Sequence, residues 1–339
     1  MDALSHVLIS FILGQALQLD GNLQLLLIVS SISLDVDAIS IRSPEAAFRF
    51  HRGPVHSILA ALVASALISA GYAVFMHLPT TALLSVVLIC HIGVFSHLIL
   101  DLPATGNMAA LWPLSKRNLA FNLTYYIDPT TLGALATAAL LMIYARTDIS
   151  TSRIVAGAAI AFLILSFGAR CYMKNAATKI IRALDANVSS EILSLPTHRP
   201  DRWWAFRRTR FENGYRYDAY QVYSIRNKIL NKGTIESPYI SYSGPVEPPI
   251  DSPQKAAACS KKDKRVSNSI EKFTLPAVDV TFSDDRETWQ VFWYDAFTYA
   301  NKEERQGILV NVRINGTITV NARWAHETQL PNGLSHKSS

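Results

Sequence analysis

The chain reads as a mainly α-helical membrane domain followed by a small β-rich cytoplasmic domain. Three observations predict this. Apolar runs fill the first part, where Lys116 is the only Lys and Glu45 the only Glu between Met1 and Ile143. Charged residues crowd the chain beyond Arg170 and carry most of its net charge of +6. Further on, the apolar runs give way to alternation of apolar and polar residues, the period of a strand.

A spanning helix needs roughly 20 largely apolar residues. Residues 55–76 and 80–100 fit well, and 154–172 and the slightly short 130–145 follow. Two shorter runs, 4–19 and 23–34, have polar ends and suggest a helical hairpin, spanning or re-entrant. The expectation is a bundle of about six apolar helices, at least four of them spanning. The N-terminus is apolar but has no basic stretch ahead of it, so it is expected to stay attached.

Loop charge sets the orientation. If all six helices cross, one face collects Arg42, Arg49, Arg52, Lys116, Arg117, Arg170, Lys174 and Lys179, and the other Arg146 and Arg153. The Lys/Arg excess places the first face, with both termini, in the cytoplasm of a multi-pass protein of the inner or plasma membrane. Basic residues flanking spans explain the net charge, and no nucleic-acid partner is expected. Asn122-Leu-Thr and Asn187-Val-Ser match glycosylation acceptors by chance on this topology. Cys90, Cys171 and Cys259 are odd in number and far apart, which suggests neither a disulfide framework nor a Cys-type zinc site.

The helical membrane domain is taken as 1–185. The β-rich domain takes 196–235 and 273–326, with aromatic Trp203, Trp204 and Phe206 followed by the alternating run Tyr215-Arg-Tyr217. Those tryptophans and nearby arginines suit either lipid headgroups or a strand core. Asn315-Gly316 signals a type I′ hairpin. The Pro-, Ser- and Lys-rich stretch 236–272 reads as a disordered insertion.

Six of the nine histidines, His6, His51, His56, His77, His91 and His97, precede residue 100. Ionisable groups at membrane depth are functional candidates by default. His6 starts the first helix, and Asp35 and Asp37 end the second. His51 and His56 precede or open the third. His97 and Asp101 close the fourth, spaced i,i+4 on one face, and Asp128 opens the fifth. All these positions fall at the cytoplasmic end. Imidazole and carboxylate suit a divalent metal, zinc above all, with manganese or iron as alternatives. Arg52 offers a fork for phosphate. Pro54 suits a helix start, which would aim the free N–H groups near His56 and Ser57 at an anion. His77 lies at the opposite end and reads as structural. His91 is off the His97 face and reads as a supporting or core residue.

The segments Asp2-x-x-Ser5-His6, Leu34-Asp35-Val-Asp37, His51-Arg52-Gly53-Pro54-Val-His56-Ser57, His97-Leu-Ile-Leu-Asp101 and Leu111-Trp112-Pro113-Leu114-Ser115 resemble the YdjM-like family. Its members are membrane-bound proteins described as metal-dependent hydrolases, one of them linked to LexA binding. The family has Pro and Thr where this chain has Leu34 and Val55, and neither change removes a ligand-type residue. The resemblance covers roughly 1–135 and, more loosely, the region after Pro196, with no counterpart for 236–272. The order of ligand types is also similar to zinc-dependent phospholipase C and related nucleases, although no His-rich segment follows Asp101 to complete a three-metal site.

The resemblance implies a metal-dependent hydrolase acting on a phosphoester or lipid-linked substrate at the cytoplasmic face. His6, Asp35, Asp37, His51, His56, His97 and Asp101 would be its metal-ligand set. An Asp not used as a ligand, Asp35 or Asp37, would act as base, and Arg52, with Lys116 or Arg117, would hold phosphate. The alternative is a membrane scaffold or regulator that binds a protein partner through its C-terminal domain. A transporter fits less well, because the polar groups gather at one end rather than at the midplane.

Overall fold

A computed structural model describes residues 2–36, 52–106, 108–115, 117, 119–125, 127–145, 148–184, 190–211, 214–237, 240, 242, 244–271, 273–283, 287–297 and 306–326, with backbone alone at 145, 306 and 321–326. Asp37, His51 and Lys116 lie outside the described residues. The chain divides into two compact units, Met1–Lys174 with Leu195–Asp201, and Asn175–Ser194 with Arg202–Ser339.

The first unit begins with a helical hairpin. Helix α1 (Ala3–Ala16) is capped by Asp2, whose carboxylate accepts from Ser5 N at 2.9 Å. This satisfies a donor that the first helical turn leaves open. Helix α2 (Gly21–Ile32) is capped in the same way by Asp20, which accepts from Asn22 N and Leu23 N. A 3-10 turn, Ser33–Asp35, continues from α2 and carries Asp35. Helix α3 (Ile58–Phe75) and helix α4 (Leu83–Asp101) pack on each other, and α4 also packs along α2. The α2–α4 approach is close because Gly93 has no side chain: a Cβ there would lie 2.7 Å from Leu27 O. Helix α5 (Pro129–Ala145) packs against α1. Helix α6 (Ile149–Ala183) has 35 residues, far more than a bilayer crossing needs.

Among the described residues, three helices are long and apolar enough to cross a membrane: Ile58–Phe75, Thr80–Asp101 and Ile149–Ala183. The fourth expected span, 130–145, is the shorter α5, and α1 and α2 are shorter too. Less than half of each spanning window is buried by the protein itself. Large apolar side chains such as Leu67, Phe75, Leu84 and Leu165 face outward, as lipid contact requires. Inside, Ile9, Ile12, Leu100, Leu135, Met142 and Leu163 form one core, and Leu34, Ala61, Val94, Leu98 and Met108 form another.

The second unit holds two antiparallel meanders. One runs in the order β1 (Glu191–Pro196), β2 (Arg202–Phe211), β3 (Gly214–Tyr223), β4 (Lys228–Ser237), and the other β5 (Pro276–Ser283), β6 (Thr288–Asp295), β7 (Gln306–Arg313), β8 (Ile318–His326). Tyr217 Oη donates to Pro276 O at 2.7 Å and Val278 N donates to Ser237 Oγ at 2.9 Å, tying the two sheets together. Trp203 and Trp204 are buried, so of their two expected settings the strand core is the one observed.

Two expectations change here. The β7–β8 connection is not a type I′ turn. Gly316 N donates to Arg313 O and Arg313 N to Thr317 O, giving a three-residue loop with Gly316 at φ +84° and Asn315 outside the left-handed region. That is a type I turn closed by a bulge, which needs one left-handed residue instead of two. The 236–272 stretch is not a disordered insertion in its described part. It carries helices α7 (Pro253–Ser260) and α8 (Lys264–Ile270). The small residues Ala256, Ala257 and Ser260 fit flat against aromatic β6, where Trp293 Nε1 donates to Ser260 Oγ at 2.9 Å.

Candidate metal centre

Four pieces of local structure bring the site together at one end of the first unit. The Asp2 cap starts α1 so that His6 lies in its first turn, buried. The 3-10 turn after α2 presents Asp35. A second 3-10 turn, Pro54–His56, begins after Gly53 and buries His56. The last turn of α4 supplies His97 and Asp101, both buried.

The distances are short and consistent. His56 Nε2 lies 3.4 Å and His97 Nε2 3.6 Å from Asp35 Oδ1. His6 Nε2 lies 3.5 Å from Asp101 Oδ1. His97 Nε2 and His56 Nε2 lie 3.7 and 3.9 Å from Asp101 Oδ2. The His6 and His97 rings stack with centroids 3.8 Å apart. Two triplets, His56–His97–Asp101 and His6–Asp35–His97, bring their ligand atoms within 4.8 Å of one another and could hold a metal ion.

Hydrogen bonds aim the rings. His97 Nδ1 is 2.7 Å from Ser31 O and donates to it, since a carbonyl only accepts, which leaves the Nε2 lone pair facing the cluster. Ser31 Oγ in turn donates to His6 O at 3.3 Å. Neither ring nitrogen of His6, nor Nε2 of His97, has a hydrogen-bond partner among the described residues. Buried polar atoms without partners are costly, and a bound cation would satisfy them.

Arg52 is placed differently from the expectation. Its side chain is buried, Nη1 donates to Thr105 O at 2.7 Å, and Nη2 donates to Asp101 Oδ1 at 3.1 Å. The fork meets Asp101 and the loop after α4. Its backbone is left-handed, with φ 59°, and this turns the chain between the side chain and Gly53-Pro54.

The anion site expected at the start of α3 is also absent among the described residues. His56 N donates to Gly53 O, Ser57 N to Pro54 O and Ile58 N to Ala110 O, while Ser57 Oγ caps Ala60 N. The N–H groups of His56, Ser57, Ile58 and Ala60 are thus already engaged within the protein.

Of the residues picked out in the sequence, His6, Asp35, Arg52, His56, His97 and Asp101 come together. Asp37 and His51 lie outside the described residues. Asp2 caps α1. His77 is exposed. His91 Nε2 lies 3.4 Å from Ser65 Oγ and its Nδ1 bonds Val87 O, so it joins α3 to α4 outside the cluster. Asp128 pairs with Arg170 Nη2 at 2.7 Å, both fully buried. The sequence signal for that pair was an Arg within the apolar run 154–172. The Ser31 carbonyl left no signal, because any residue supplies one.

The chain matches no curated protein and no solved structure. A model of the YdjM inner membrane protein family matches residues 1–177, which is more than half of the chain and all of the cluster, and the chain belongs to that family.

Proposed function

We propose that this protein is a membrane-bound metal-dependent hydrolase acting on a phosphoester or lipid-linked substrate at the cytoplasmic face, with zinc as the metal. The observation that carries this is the convergence of His6, Asp35, His56, His97 and Asp101, in which the Nε2 atoms of His6 and His97 have no hydrogen-bond partner among the described residues. The spacing also fits. The edge of a tetrahedron around zinc is about 3.3–3.4 Å for ligand distances of about 2.0–2.1 Å. The N–O separations within the His56–His97–Asp101 triplet are 3.7 and 3.9 Å, a few tenths of an ångström wider, and those from Asp35 to His56 and His97 are 3.4 and 3.6 Å.

Zinc bound there would lower the pKa of a water towards neutrality and polarise a phosphoryl oxygen. His56, His97 and Asp101 are the fully buried triplet and are assigned to hold it. Asp35 is the more exposed carboxylate, with its side chain 15% accessible, and takes the proton from the attacking water. Asp37 is the second candidate for that task. Arg52 is a positioning residue that fixes the Asp101 carboxylate, and Arg117, with Lys116, holds the substrate phosphate. On this reading the chain crosses the membrane several times with both termini cytoplasmic; the alternative is a scaffold or regulator that binds a protein partner through the β-rich domain.

The test is metal content. Protein purified without chelators and reconstituted with zinc should retain it stoichiometrically by mass spectrometry. Asp101→Ala and His97→Ala should lose both the metal and any release of phosphate or headgroup from lipid phosphoesters, while His77→Ala keeps both. A wild-type protein that stays metal-free would overturn the hydrolase and leave the scaffold reading.

A further inference from the structure

The loop after α4 has a rigid base and an apolar tip. Met108 and Leu119 exchange two backbone hydrogen bonds, at 3.0 and 2.8 Å, and close the loop between them. Met108 and Ala110 are buried in the core with Leu34 and Leu98. Ala109 N donates to Arg52 O and Ile58 N donates to Ala110 O, which ties the base to the residue that holds Asp101 and to the first residue of α3.

From this base, 111–115 projects as one turn closed by Ser115 N donating to Leu111 O at 3.0 Å. Leu111, Trp112 and Leu114 are 38, 42 and 94% exposed. Contiguous exposed apolar groups mark an interaction surface. The next described residue past the turn, Arg117, is exposed as well.

We propose that the 111–115 loop is an interfacial anchor, with Trp112 and Leu114 inserted among lipid headgroups and upper acyl chains and Arg117 against lipid phosphate. The position of the base selects this occupant. It is bonded to the start of one candidate span and follows the end of another, so the tip lies where the spans leave the acyl region. Tryptophan prefers that depth, and an exposed arginine complements anionic headgroups. The anchor also holds Arg52 and Asp101 at headgroup level. In this respect it rests on the metal-centre reading and narrows the substrate to one drawn from the leaflet.

The experiment uses the full chain with Cys171→Ser, which removes the exposed cysteine, and Leu114→Cys labelled with the fluorophore NBD. It is reconstituted into vesicles of phosphatidylethanolamine and phosphatidylglycerol. Brominated acyl chains should at least halve the emission, and aqueous iodide should change it little. Quenching by iodide alone would place the tip in water. Quenching by neither would mean that protein, such as a second copy, covers it. Either result overturns the anchor. Cobalt uptake by the same sample separates the two readings. A lipid-quenched label on protein that takes up no cobalt keeps the anchor and removes the metal centre, and a water-exposed label on cobalt-loaded protein does the reverse.

Discussion

Arg52 shows how much a single side chain can decide. Its two terminal nitrogens reach Thr105 O and Asp101 Oδ1 at once, a geometry that only a planar fork provides. Arg52→Lys is expected to fold normally and to weaken zinc affinity by about 10–100-fold, the usual effect of removing a ligand's supporting partner. A competition titration against a zinc chelator measures this, and unchanged affinity would show that Asp101 is held by something else. The buried Arg170–Asp128 pair makes a separate prediction. Arg170→Met leaves a buried carboxylate without its partner and should cost about 3–5 kcal/mol in a thermal melt in detergent. Adding Asp128→Asn should recover much of the loss; a single variant as stable as wild type would mean that the pair contributes nothing. At this scale the ligand-type residues were legible because His and Asp are rare in apolar sequence. The inward turn of Arg52 was not, because it depends on a left-handed backbone and a carbonyl far along the chain.

Among the elements, α4 contributes most, since it supplies His97 and Asp101 while packing on both α2 and α3. Gly93 sets its distance from α2. Gly93→Val should force the helices apart, lower stability by about 1–3 kcal/mol, and weaken metal binding by drawing Ser31 O away from His97. Metal affinity equal to wild type would show that the His97 orientation does not depend on this contact. In the β unit, burial raises the Asp218 pKa, but hydrogen bonds from Arg207, Thr234 and Arg216 outweigh it and hold the carboxyl below its ordinary value. A carboxyl lowered in the folded state adds stability above its unfolded pKa and loses it as pH falls through the folded pKa. Asp218→Asn should therefore flatten the acid limb of unfolding followed by tryptophan fluorescence, and an unchanged limb would assign acid sensitivity to other groups. The helices and most strands were legible from periodicity. Helices α7 and α8 were not, because small residues and serines that read as linker composition gain their stability by covering aromatic β6.

For the whole molecule, the family match ends close to the boundary of the helical unit, and the cluster lies inside the matched part. The topology carries its own test. If both termini are cytoplasmic, as proposed from the charge asymmetry, a cysteine at Ser339 should resist a membrane-impermeant reagent in intact cells and react after lysis. Reaction in intact cells would reverse the orientation. Span number was the least legible feature, since short apolar helices in a hairpin share their composition with true crossings.

The shared position of His97 in both triplets has a further meaning for biogenesis. His6 emerges from the ribosome first and Asp101 last, and the hairpin and the next two helices must be in place before they meet. Zinc, once captured, would latch an inserted bundle and favour it by mass action, by about 2.7 kcal/mol at a hundredfold excess over Kd. On the proposed metal-centre reading, a chain that inserted one helix wrongly would not close this latch, and metal capture would double as a checkpoint on membrane assembly.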